Sequence, residues 1–245
     1  MLEGMYSAAA GMTAQQHKLT ALSNDIANVN TTGYKRVRVA FRDLLYTPQG
    51  LATVPNAQEG AGTAASVIGR GAAQGAITET GEPLDVALEG RGFLVVRQED
   101  GTRVLTRDGH LRIDDRGRLG TSGGQLVDPP VRVPAGTTAK DVKISPDGRV
   151  AVSQRTIGRL QVVTVTAPDG LEPEGDNAFR ATAASGAPTP AGAGTRVVQG
   201  ALELSNVQLS DAMVDMIEAQ RAFEMASRAI QAQDEMLGFA NGVKR

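Results

Sequence analysis

Both ends of this 245-residue chain carry an apolar residue at every seventh position, and that repeat limits what the chain can become. Near the N-terminus the stripe is Met5, Met12, Leu19 and Ile26. Ala8, Leu22 and Val29 form its companion, interrupted by Gln15. Near the C-terminus the stripe is Leu209, Met216, Phe223, Ile230 and Leu237. Ala212, Ala219 and Ala226 follow three residues on, and Met213 and Ile217 widen the seam. A seven-residue apolar period marks a helix with one long, narrow seam, and such a seam needs a partner. The spacing predicts helices over residues 2–29 and from about residue 209 onward. Asn28, Asn30, Thr31, Thr32 and Gly33 stop the first, because Gly takes positive φ and short polar side chains bond the local backbone. Ser205 and Gln208 have capping-box spacing, and Ser210 is a second candidate cap. Asp211, Asp215 and Glu218 place negative charge in the first turns, where the helix dipole favours it. The narrow seam favours pairing of the two helices, with each other or with neighbouring subunits, over docking as ordinary surface helices.

Residues 47–75 are rich in Gly, Ala, Thr, Gln and Pro and read as an extended connector. From Leu84 the pattern changes to short apolar or alternating runs: LDVAL, FLVVRQ, RVLTR, HLRID, VKI, RVAV and RLQVVTV. Asp100-Gly101, Asp108-Gly109, Arg116-Gly117, Asp147-Gly148 and Asp169-Gly170 separate many of them and carry hairpin-turn chemistry. The expected fold class is α+β: paired, coiled-coil-like terminal helices with a central antiparallel β domain. The expected boundaries are a helical domain from residues 1–33 and 206–245, a connector over 34–79 and a β-rich domain over 80–205.

Composition removes several functions. Lys and Arg number 25 and Asp and Glu 27, so the net charge is −2 and no basic field is available for nucleic acid. Five Phe, three Tyr and no Trp leave few rings for base stacking or an aromatic-lined pocket. The absence of Cys excludes thiolate nucleophiles, disulfides and sulfur-bound zinc. Only His17 and His110 could serve a triad or an imidazole metal site, and neither has an orienting partner nearby in sequence. Gly69, Gly71 and Gly75 do not match a dinucleotide fingerprint. Asp114 and Asp115 lack the ligand series of a calcium loop and read as turn residues beside Arg116-Gly117. The N-terminal MLEGMYSAAAGMTAQQ lacks the charged and apolar blocks of a secretory signal, and no apolar run reaches 18 residues. The expectation is a protein with no catalytic, cofactor or metal site.

SAAAGMTAQQHKLTALSNDIANVNTTGYKR, residues 7–36, resembles the N-terminal signature of bacterial flagellar rod and hook proteins. Ala27, Asn28, Asn30, Thr31, Gly33, Tyr34 and Lys35 carry its core. MVDMIEAQRAFEMASRAIQAQDEML, residues 213–237, is similar to the family's C-terminus, and TGEPLDVALEGRGFLVV, residues 80–96, to the start of its β domain. VRVAFRDLLY and the C-terminal EAQRAFEM segment are most like the distal rod branch. The stretch between Tyr46 and Gly75 is shorter than that branch's pattern, which keeps a proximal rod subunit open as an alternative.

The resemblance implies a structural subunit, not an enzyme, that polymerises into a helical tube and transmits torque from motor to hook. The terminal helices would form the inner tube, with the β domain outside. It implies self-association, contacts with other rod proteins and the hook protein, and contacts with surrounding rings. It implies neither nucleic acid nor small-molecule substrate. It also implies a basal-body location reached by type III export without a cleaved signal. From the residues alone, a non-catalytic secreted binding module also stays open, and an enzyme on the β scaffold is the weakest reading.

Overall fold

The computed structural model describes residues 2–44, 46–48, 58–192 and 194–242. Residues 45 and 49–57 of the expected connector, and residues 1 and 243–245 of the expected helical domain, lie outside them. The chain is α+β, with a helix at each end and antiparallel β structure between. It divides into two compact units, one of Met1–Ala27, Val37–Ile68 and Gln208–Arg245, the other of Asn28–Arg36 and Gly69–Val207.

The first unit contains both helices, α1 (Leu2–Ala27) and α2 (Leu209–Gly242). Neither contains Pro, and both are rich in Ala, the strongest helix former. The Thr13 and Thr20 hydroxyls donate to the carbonyls of Ala9 and Gln16, so these residues sit inside α1 without leaving a polar group unpaired. The helices run antiparallel. A methyl group at Gly4 would meet the Gln233 side chain at 3.1 Å, and Lys18 Nζ lies 3.7 Å from Asp215 Oδ1. The closest-packed positions are small: Ala14, Ala212 and Ala219 are buried along with Leu22. Strands Val37–Asp43 and Thr63–Arg70 pair with each other in this part of the chain, and the first packs on α1. Asp25 is buried in the last turn of α1, and its Oδ1 accepts the Val37 N–H at 3.0 Å. That bond gives a buried carboxylate a donor at a helix end whose dipole does not favour it.

The second unit is all β apart from two short 3₁₀ turns. Its main sheet is antiparallel throughout and centres on Phe93–Arg97, which pairs with Arg103–Thr106, Leu126–Val127 and Val162–Thr164. Leu94 enters one core with Val86, Leu119, Val131, Val150 and Leu160. Phe93 and Val95 enter another with Leu105, Val163 and Phe179. Both faces of this strand are buried, which is why FLVV reads as an unbroken apolar run and not as an alternation. Phe93 and Phe179 meet edge to face with centroids 6.0 Å apart. Val142–Ile144, Arg149–Val152 and Arg155–Arg159 form a three-stranded sheet.

Gly101, Gly117 and Gly148 sit at positive φ in turns between neighbouring strands, as hairpin chemistry predicts. Asp108-Gly109 is different. A Cβ at Gly109 would come within 1.6 Å of the Val86 carbonyl, so this glycine permits a close backbone approach instead of a turn. Asp169-Gly170 closes a 3₁₀ turn at Pro168–Gly170, not a hairpin.

Candidate functional site: the helix pair and an ionic clasp

The helix pair leaves much apolar surface uncovered. On α2, Met216, Phe223, Ile230 and Leu237 are half-buried, whereas Leu209 is exposed. At about 100° per residue, Ala212, Ala219 and these four share one side of the helix. Met213, Val214, Ile217, Met225, Met236 and Phe239 are all more than half exposed, apart from Ile217 at 50%. The same geometry spreads them over the other side. Asp211, Glu218, Arg221, Arg228 and Glu235 are interspersed among them, so this side is a mixed surface that carries more large apolar groups than a solvated helix face needs. On α1, Met5, Met12, Leu19 and Ile26 are half-buried. They lie well round the helix from its most buried line, which runs through Ala14, Leu22 and Asp25. That line is broad because α1 meets both α2 and a strand.

In the second unit, the residues that follow α1 in sequence are bound to those that precede α2. Lys35 Nζ lies 2.5 Å from Glu203 Oε1, and Arg107 Nη1 lies 2.8 Å from Glu203 Oε2. The three side chains are at most 4% exposed. Lys35 Nζ also donates to the Ala73 carbonyl, Gly75 N–H donates to Glu203 Oε1, and Arg107 Nη2 donates to the Gly90 carbonyl. Burial pushes the Lys35 pKa below its ordinary value; Glu203 opposes this and Arg107 adds to it. One carboxylate therefore keeps two cations in a desolvated place.

The motif residues around the clasp have physical duties. Gly33 donates its N–H to the Glu203 carbonyl at 2.8 Å. Its φ is +69°, and a Cβ there would come within 2.6 Å of the Arg107 backbone. Tyr34 is buried with the Arg70 guanidinium 5.1 Å over its ring, and Arg70 Nη1 donates to the Lys35 carbonyl. Thr31 closes a turn on Asn28 through backbone and hydroxyl. Asn28 is half-buried, and Ala27 and Asn30 are exposed. Asn206 accepts the Arg36 N–H and donates to the carbonyls of Gly71 and Ala73, stitching three segments together.

Glu203, Arg107, Arg70 and Asn206 escaped the sequence reading. The available signal was Glu203 itself, in the run ALEL: Ala201 and Glu203 share one buried face of a strand. A carboxylate on such a face demands cationic partners. The structure brings Lys35 to that demand, whereas the helix stripes lie in the other unit. His110 Nδ1 is 2.8 Å from Asp85 Oδ1, and His17 is exposed on α1. Asp114 accepts the backbone N–H groups of Arg116 and Arg118. These bonds, with the Arg118 guanidinium, hold its pKa below the ordinary carboxylate value. Among the described residues, no cluster of three or more His, Cys, Asp or Glu could hold a metal ion, and no helix is long and apolar enough to cross a membrane.

An antiparallel helix pair with uncovered apolar surface, and a buried ionic clasp joining the segment after α1 to the segment before α2, are features of a structural protein and not of a catalytic site. Three family models match: "Flagella basal body rod protein" over residues 5–35, "Flagellar hook protein FlgE/F/G D1 domain" over 87–152, and "Flagellar basal body rod FlgEFG protein C-terminal" over 198–243. The chain is 39% identical to the flagellar basal-body rod protein FlgG of Borreliella burgdorferi over the whole of both chains. It is 37% identical to FlgG of Caulobacter vibrioides over 96% of this chain and 97% of that one. It is 32% identical to the rod protein FlgF of Salmonella typhimurium over 95% and 94%. The chain belongs to the flagellar basal-body rod protein family.

Proposed function

We propose that this chain is a structural subunit of the distal flagellar rod, polymerising through its terminal helices into a helical tube that carries torque to the hook. The observation that carries this reading is the set of exposed large apolar residues on the second side of α2, Met213, Val214, Ile217, Met225, Met236 and Phe239, which one α1 does not cover. Burying one large apolar side chain contributes roughly 1.5–3 kcal/mol, so six such residues per subunit supply the drive for association. A repeated contact between different surfaces of identical subunits gives an open helical polymer when its rotation does not close. The two seams would then pair as a coiled-coil-like inner layer, with the β-rich unit facing outward. Similarity to FlgG over nearly the whole chain favours the distal position over the proximal one. The partners are further copies of the chain, other rod proteins, the hook protein and the surrounding rings, and the role is mechanical, with no chemical step.

The test is assembly of the purified chain, followed by sedimentation and electron microscopy. Polymers are expected from the native chain. Ile217→Glu, which places a charge on the uncovered side, should abolish them while leaving the circular dichroism of the monomer unchanged. Normal polymers from Ile217→Glu would refute the assignment of that side to assembly. The proposal includes export without a cleaved leader. Intact mass of the chain from isolated basal bodies tests this, and a truncated N-terminus would contradict it.

A further inference from the structure

A cavity of about 240 Å³ in the β-rich unit is unused by the rod reading. Four cationic side chains line it, Lys35, Arg70, Arg91 and Arg107, together with the rings of Phe93 and Phe179 and other apolar surface. No acidic side chain is among its lining residues. Glu203 is not among the lining residues, and its two oxygens are already committed to Lys35 and Arg107. Arg70 spends Nη1 on the Lys35 carbonyl and stacks on Tyr34. The Arg107 guanidinium lies 5.4 Å over the Phe93 ring, and its Nε is buried with no acceptor among the described residues. The Arg91 side chain is exposed, and its guanidinium has no hydrogen-bond or ion-pair partner among the described residues.

Positive charge in excess of its counter-charge, and a buried donor without an acceptor, are both costly until an anion supplies the missing half. The aromatic rings add a preference for a ligand with a flat apolar body. We propose that this cavity is a carboxylate-binding site for one compact anion, with Arg91 as its uncommitted charge and the Phe93 and Phe179 rings beside the body of the ligand. The volume admits an aromatic acid or a single acidic side chain. The carboxylate is a free small acid or a side chain of another copy of the chain. The recognition chemistry is the same for both.

Benzoate is the probe, with benzamide as its neutral isostere, titrated calorimetrically into the full-length monomer. Benzoate should bind saturably, and benzamide about tenfold more weakly, the loss expected for one charge-assisted hydrogen bond. Arg91→Ala should weaken benzoate binding by a similar factor without altering the circular dichroism. Equal binding of the two probes, no binding of benzoate, or an unchanged affinity in Arg91→Ala would overturn the inference. Repeating the titration on the assembled polymer separates the two sources. Loss of the benzoate site on assembly, with slower assembly of Arg91→Glu, identifies a neighbouring subunit's carboxylate. Persistence of the site identifies a free acid. A chain that polymerises but binds no benzoate overturns this inference alone. A chain that binds benzoate but never polymerises overturns the rod reading alone.

Discussion

Replacing Glu203 by Gln should damage the β-rich unit far more than the loss of one surface charge. The Glu203 carboxylate accepts from Lys35 Nζ, Arg107 Nη1 and the Gly75 N–H, with every one of these side chains nearly inaccessible to water. An amide keeps the shape but presents N–H donors where a cation expects an acceptor. Breaking a buried ion pair from one side costs about 3–5 kcal/mol. For a chain of this size that corresponds to a fall in Tm of roughly 6–20 °C. The effect should also depend on pH. The folded-state pKa of Lys35 lies below the ordinary 10.5, so the unfolded chain holds more protons than the folded one between those two values. Stability from this group is therefore lowest below the folded pKa and rises with pH up to 10.5. Glu203 raises the Lys35 pKa, so its removal widens the window downward. The deficit of Glu203→Gln should shrink as the solution is made alkaline. Thermal denaturation followed by the β signal in circular dichroism, from neutral to alkaline pH, measures both effects. A fall in Tm under about 2 °C, or a deficit that grows with pH, would refute the reasoning.

Phe223→Ala removes a side chain that is half-buried in the single chain, so the monomer should lose only about 1–2 kcal/mol, below the 3–5 of a fully buried ring. Urea denaturation of the monomer checks that value, and a parallel assembly assay should show the larger loss. Gly33→Ala combines an unfavourable positive φ with a clash against the Arg107 backbone and should cost at least about 1–3 kcal/mol, read by the same denaturation. Asp114 has a lowered pKa, so its contribution to the Asp114–Arg118 turn is present above the ordinary carboxylate value and is lost as pH falls through the lowered one. An NMR titration of its carboxyl carbon should give a midpoint below 3.8 in the native chain, rising in Arg118→Ala, in which the guanidinium contact is gone.

The helices were legible because a seven-residue apolar period survives in sequence whatever the chain packs against. The turns at Gly101, Gly117 and Gly148 were legible because Asp-Gly and Arg-Gly chemistry is local. Gly109 shows the limit: the same dipeptide meets a distant carbonyl, that of Val86, and no local rule records such an approach. The clasp was hidden for a similar reason. Lys35 is 168 residues from Glu203 and Arg107 is 96 residues from it. Only the folded chain shows that an acidic residue in an apolar strand holds both a motif lysine and the arginine next to Asp108-Gly109. The heptad stripe on α1 likewise pointed to the helix but not to its most buried line, because period alone does not count how many neighbours the helix has.

The central claim is that other copies of the chain cover the second side of α2. Oxidative footprinting of Met213, Met225 and Met236 tests it most directly, since all three are more than half exposed in the single chain. Their oxidation rates should be high in the soluble monomer and fall at least tenfold in assembled polymer, while half-buried Met216 changes less. Equal rates for the three in monomer and polymer would mean that this side stays open to solvent, and the account of assembly would be wrong.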